Sequence, residues 1–147
     1  MSASFVLPLR IYYEDTDAAG IVYYANYLRY FERARTEWLR SLGYERQRLA
    51  DEFDTAFVVR SVSCDYLKPA RLDDSLSVVA QIESVSRAQL VFRQRVERQE
   101  GSGGEVLVRG VVRVACIAAS RLRAKALPRE MQADFSKLVA KGAIAHV

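Results

Sequence analysis

Histidine and cysteine are almost missing from this chain: one His, at position 146, and two Cys, at 64 and 116. That scarcity excludes a zinc site built from Cys and His ligands. A secreted disulfide framework is equally poorly served. Both cysteines lie inside strand-like runs, and the opening MSASFVLPLR has no basic n-region and breaks its short apolar stretch at Pro8. Buried free thiols in a reducing cytoplasm are expected instead. Long apolar runs are lacking too. The longest, Gly110 to Ala119, is interrupted by Arg113 and falls short of the ~20 residues that a membrane span needs. Nor does one sign of charge dominate: 22 Lys and Arg against 18 Asp and Glu give a formal charge of +4. The basic residues form no dense stripe interleaved with aromatics, so nucleic acid is not the expected partner. The balance suits an anionic small molecule or an acidic protein.

What is present is material for one core. Half of the 147 residues are hydrophobic, enough for a single domain over 1–147. Phe5 to Tyr13 reads as a first strand, with Pro8 at an edge or near an end. A long amphipathic helix is expected to start between Tyr23 and Tyr27 and to stop before Gly43. Tyr27, Phe31 (with Tyr30), Ala34, Trp38 and Leu42 recur at three and four and make its apolar face. Arg29, Arg33, Glu37 and Arg40 form the opposite stripe, with Arg33 and Glu37 at i,i+4. Glu45 to Glu52 is a short second helix. Four alternating strands follow at Phe57–Tyr66, Ser75–Val85, Gln89–Arg98 and Val106–Ile117. EGSGGE at 100–105 and Ser86–Arg87–Ala88 are hairpin loops, and Pro128 opens a C-terminal helix to about Val139.

The expected fold class is therefore α+β: about five strands, mostly antiparallel, burying one face against one long central helix. The other face stays partly apolar through Val79, Val85, Val111 and Ile117. Its exposed edges favour a homo-oligomer over a monomer.

Chemistry concentrates in Tyr12 to Gly43, YYEDTDAAGIVYYANYLRYFERARTEWLRSLG. Glu14, Asp15 and Asp17 crowd a turn that relaxes at Gly20 and then enters the helix. Carboxylates are thus set beside a helix start, where unpaired N–H groups point outward. In an extended segment Asp15 and Asp17 share a face and Glu14 takes the other. On the residues alone Asp15 and Asp17 stand near parity, and turn or cap roles explain all three.

YYEDTDAAGIVYYANY followed by FERART, then AFVVRSVSCDYLKPARLDD, LVFRQR and ALP at 126–128, closely resembles hotdog-fold acyl-CoA thioesterases. The nearer likeness is to the 4-hydroxybenzoyl-CoA thioesterase family and its Tol-Pal-associated bacterial branch. This resemblance spans nearly the whole chain, and the D-x-D-x-x-G-x-V-Y spacing into a helix is its most specific part. It implies a hotdog fold, a sheet wrapped around the central helix, with dimers pairing through their sheets, often as a homotetramer, and active sites at subunit interfaces. It selects Asp17 as the catalytic carboxylate and the backbone N–H of Tyr24 as the donor that polarises the thioester carbonyl. In the Tol-Pal branch a Tyr and a His accompany the Asp. The Tyr falls on Tyr13, but Tyr24 stands where the His would be.

Thioester chemistry tolerates that loss. The leaving thiolate derives from a thiol of pKa roughly 8.5, so it departs at neutral pH without a strong general acid. Asp17 can attack the carbonyl to give a mixed anhydride, or act as general base on a water. Amides from Gly20 to Tyr24, Val22 included, are candidate holders of the oxyanion. Gly20 serves backbone conformation first, or close approach of a ligand. Arg87 at a hairpin tip, with Lys68 or Arg71 at a corner, are candidates for the phosphates of coenzyme A, against a plain solvated-surface reading. Arg121, Arg123 and Lys125 are equally open. The expected function is a cytoplasmic acyl-CoA thioesterase without metal or cofactor. A module that binds an acyl carrier protein or lipid-synthesis enzymes is the competitor. A hotdog dehydratase fits poorly, because the enzymes of that kind use a histidine.

Overall fold

The computed structural model describes residues 3–100 and 103–139. His146 and two residues of the expected hairpin loop, at 101 and 102, lie outside them. In chain order the elements are β1 (Ser4–Arg10), α1 (Asn26–Ser41), α2 (Arg46–Phe53), β2 (Thr55–Tyr66), β3 (Ser75–Val85), β4 (Gln89–Glu100), β5 (Gly103–Ala118), β6 (Arg123–Ala124) and α3 (Arg129–Lys137). The strands pair antiparallel in the order β1-β3-β4-β5-β2, with β6 added on β5. Six strands among the described residues thus replace the expected five, the sixth being two residues long. Helix α1 lies across one face of this sheet, the hotdog arrangement.

Periodicity explains why the helix sits there. Tyr27, Tyr30, Phe31, Ala34 and Trp38 are buried, repeating at three and four. They meet the alternate residues Leu76, Val78, Ala80 and Ile82 of β3, with Leu90, Phe92 and Val96 of β4 and Val108, Val112 and Val114 of β5. Gly43 ends the helix at φ +91°, a conformation that only glycine adopts freely, and Tyr44 N–H returns to Leu39 O at 2.8 Å.

One row across the sheet sets the closest approach. Ala80, Gln94, Gly110 and Cys64 are successive partners on β3, β4, β5 and β2. A Cβ on Gly110 would stand 2.6 Å from Phe31 Cε2 and 3.2 Å from Cys64 Sγ. The missing side chain is what lets the Phe31 ring touch the sheet.

Three sequence expectations need correction. The first strand stops at Arg10 rather than Tyr13. Ile11 turns fully into the core, and Tyr13–Asp15 form a single 3-10 turn. Asp15 and Asp17 therefore share no strand face. On the helix's outer stripe Glu37 pairs with Arg40 at 2.7 Å, one turn on, rather than with Arg33. Arg35, at the boundary of the helical pattern, is buried at 8% exposure.

Candidate active site

The segment from Tyr12 to Val22 folds on itself before reaching the helix. Asp15 caps the 3-10 turn, its carboxylate accepting Tyr12 N–H at 2.8 Å. Thr16 and Val22 then bridge as a minimal hairpin, closed by Asp17 N–H to Ile21 O at 2.9 Å and Gly20 N–H to Asp17 O at 3.0 Å. Gly20 turns this corner at φ +78°, and a Cβ there would meet nothing within 4 Å. Its requirement is conformational, not spatial.

Asp17 sits at the tip of that hairpin, exposed on the single protomer. Its Oδ1 accepts Ala19 N–H at 2.8 Å, and Oδ2 has no described partner. The tip is tied to the helix through one carbonyl. Asp15 O receives Tyr23 N–H at 3.1 Å and Asn26 Nδ2 at 2.9 Å. Residues 17 and 24 thereby flank a single backbone junction.

The amides from Gly20 to Tyr24 divide clearly. Gly20, Val22 and Tyr23 N–H groups are committed to Asp17 O, Ala70 O and Asp15 O. Val22 is also buried, so it builds the wall and offers no donor. The Ile21, Tyr24 and Ala25 amides donate to no acceptor among the described residues, and those of Tyr24 and Ala25 lie at the end of α1 where the helix dipole is positive. Ala25 was not singled out from the sequence. Nothing in its side chain signals an open amide, only its place in the first turn.

Around this point gathers a shell of phenols. Tyr24 contacts Tyr23 and Tyr66, ring centroids 5.1 Å and 6.0 Å away, and Tyr66 reaches Tyr27 at 5.8 Å. Tyr27 and Tyr30 are buried, whereas Tyr23, Tyr24 and Tyr66 are exposed. Tyr27 Oη accepts Ala70 N–H at 3.0 Å, and burial pushes its pKa up. The Tyr30 hydroxyl is buried with no hydrogen-bond partner among the described residues. Burial first, then the nearby Asp15 carboxylate, raise it strongly. Tyr13, where the resemblance places the branch's tyrosine, is 82% exposed on the single protomer and has no described side-chain hydrogen bond or ring contact.

The basic candidates separate by position. Ile21 bridges Arg71, which places that exposed cation on the turn's own neighbour. Lys68 is engaged with Glu105 at 2.7 Å. Arg87 is exposed in the β3–β4 hairpin, at the end of β3 away from the turn. The eleven residues of that strand, at ~3.3 Å each, put roughly 30 Å between it and the Asp17 end. One protomer therefore does not bring Arg87 to Asp17.

An antiparallel sheet wrapped on one helix, entered through a short carboxylate-bearing hairpin, defines a hotdog protein of the thioesterase kind. The thioesterase superfamily model matches residues 19–105, and the chain belongs to that family. It is 43% identical to the acyl-CoA thioesterase YbgC of Haemophilus influenzae over 91% of this chain and 96% of that one. It is 42% identical to the acyl-CoA thioester hydrolase YbgC of Escherichia coli, over 90% and 96%. Among solved structures, the 4-hydroxybenzoyl-CoA thioesterase of a Pseudomonas species superposes with TM-score 0.79 at 26% identity, covering 92% of this chain and 98% of that one.

Proposed function

We propose that this protein hydrolyses acyl-CoA thioesters to a free carboxylic acid and coenzyme A, with Asp17 as the catalytic carboxylate and the Tyr24 amide as the carbonyl-polarising donor. The observation that carries the reading is the open amide. Of the five N–H groups from Gly20 to Tyr24, three are spent on backbone carbonyls; Ile21 and Tyr24 keep theirs, and the one at Tyr24, with its neighbour at Ala25, stands at the helix start. A thioester oxygen accepting that hydrogen bond gains the helix dipole as well, and such a donor is worth about 3–4 kcal/mol of barrier.

Two routes use the free Asp17 oxygen. As nucleophile it forms a mixed anhydride and expels the thiolate, and water then cleaves the anhydride. As base it takes a proton from water, whose hydroxide adds to the carbonyl. Single turnover in ¹⁸O-water detects one branch of the nucleophilic route: an anhydride opened at the Asp17 carbonyl carbon leaves label on the protein, whereas opening at the acyl carbon labels the acid, as base catalysis does. Label found only in the released acid excludes opening at Asp17.

The site is completed by a second copy. Strand β2 is a sheet edge, and its Val58, Val59, Val62 and Tyr66 are exposed. Antiparallel pairing of β2 with its copy sets the Tyr66 end of one chain beside the Thr55 end of the other. The Thr55 end lies two strands from the Arg87 hairpin, since Thr55 pairs with Ala118 and Cys116 N–H donates to Ala88 O. Arg87 of the partner subunit is then in position for the coenzyme A phosphates, and Tyr13 and Gly20 face the entering substrate. Scattering that reports a monomer at working concentration would end this assembly. Arg87→Ala is expected to raise KM for acyl-CoA while sparing a truncated thioester without phosphates. The free thiols Cys64 and Cys116 support a cytoplasmic location.

A second reading, docking of an acidic acyl carrier protein, has its own observation. On the outer sheet face Arg95 stands directly opposite Arg109, with exposed Arg113 further along β5. Neither Arg109 nor Arg113 has a described ion pair. A pull-down that recovers such a carrier, combined with no turnover on any thioester, would favour it.

A further inference from the structure

Buried guanidinium groups are almost always matched by a carboxylate, because an unmatched charge is costly away from water. Arg35 breaks that pattern. It is 8% exposed, and its only described hydrogen bond is NH1 to the neutral Gln94 Oε1 at 2.8 Å. Gln94 is itself locked, donating to Phe31 O at 3.0 Å. The Phe92 ring centroid lies 6.0 Å from the guanidinium carbon. Burial draws the Arg35 pKa down to about 10 while Glu32 on the preceding turn offsets part of the shift, so the group stays cationic at neutral pH.

Arg35 lines a cavity of about 580 Å³ between α1, α2 and the sheet. Its walls include Leu39, Leu49, Phe57, Leu90, Phe92 and Val114. Arg35 lies eleven positions along α1 from the Tyr24 amide, about 16 Å at 1.5 Å per residue. A volume of this order is that of a small-molecule pocket: apolar walls with few polar groups that fix orientation. Four other charged residues line it, Glu32, Arg40, Glu45 and Arg46, all exposed and equal in number of each sign, so the buried charge is that of Arg35. It is a prepositioned cation with unused N–H donors, a geometry that matches a carboxylate.

We propose that this cavity binds an unbranched monocarboxylate, its head on Arg35 and its tail along Leu39, Leu90, Phe92 and Val114. A cation-headed or uncharged chain of the same length lacks the anchor and is rejected. The ligand class follows from the guanidinium and the walls, independently of the thioesterase reading, and binding is measured without turnover. The acid released by a thioesterase belongs to the same chemical class, so occupancy would let product accumulate on its own enzyme.

The probe is sodium octanoate, titrated calorimetrically into the intact protein, with octanol and octyltrimethylammonium as controls and the Arg35 Nε resonance followed by NMR. Saturation at one octanoate per chain, a shifted Arg35 Nε and at least tenfold weaker binding of both controls are expected. Arg35→Gln should lose tenfold or more in octanoate affinity. Because that variant removes a buried hydrogen-bonded group and can fail to fold, Ala50→Trp is the second variant. Ala50 lines the cavity from an exposed position on α2, and the indole would fill its mouth without entering the core. Octanoate binding no tighter than octanol, or unchanged by Ala50→Trp, overturns the proposal.

Discussion

The two ends of α1 belong to one helix and serve opposite purposes. From Phe31 to Trp38 the inward apolar groups are buried and packed, Phe31 on Gly110 and Trp38 on Phe92, and Gln94 clasps Phe31 O and one Arg35 donor. At the Asn26 end the polar groups face outward, the Tyr24 and Ala25 amides are unspent, and the Asp17 tip hangs from one carbonyl. On the proposed mechanism, stability and reactivity are therefore separated along roughly one helix length. The packed half fixes where the helix lies, and the open half presents what that placement aims. An N–H already donated to the fold cannot be donated to a substrate, so the open amides must be ones the packing does not use.

The sharpest way to break this contrast is Asp17→Asn. Removing a positioned acid–base or nucleophilic group should cost ~100- to 10,000-fold in kcat/KM, with the melting temperature unchanged because Asp17 is exposed and holds only the Ala19 amide. Thiol release from acyl-CoA and a thermal melt test both halves of the claim, and unchanged turnover would remove Asp17 from the mechanism.

Gly110→Ala should do the reverse. A methyl 2.6 Å from Phe31 Cε2 overpacks the core, so a loss of about 1–3 kcal/mol in denaturant unfolding is expected. Turnover per folded molecule should fall much less than with Asp17→Asn. A stable variant would show that Phe31 has room to retreat.

Asn26→Ala probes the junction between the halves. Losing its bond to Asp15 O should cost about 1 kcal/mol. If Asn26 positions the Asp17 tip, that loss falls on kcat by roughly fivefold, with KM little changed. A drop in stability with kcat intact would make it a structural residue only. The smallest effect is expected from Tyr24→Phe. The proposed donor is the main-chain amide, so kcat should stay within about twofold, whereas a large loss would move the role to the hydroxyl.

Much of this was legible in the letters. Periods of two and of three or four residues placed the five main strands and the helices, because each element must bury one face and the period follows from backbone geometry. The chain's end signals were equally readable: Gly43 stops α1 and Pro128 opens α3. Ile11 to Tyr13 was misread as the end of the first strand, since a tyrosine-rich alternation carries no mark of a 3-10 turn. The burial of Arg35 is not legible in the letters, because a charged residue at the edge of a helical stripe is usually solvated. Its burial depends on the partner at Gln94, fifty-nine positions away.

By itself, then, the sequence determined the element order, the class of fold and a short acidic segment beside a helix start, because these depend on local backbone preference and side-chain period. Only the tertiary structure decided which amides are free, that Arg87 lies a strand's length from Asp17, and that a buried cation lines a cavity. Those are facts about distant parts of the chain meeting, and no local pattern records whether a donor has found its acceptor.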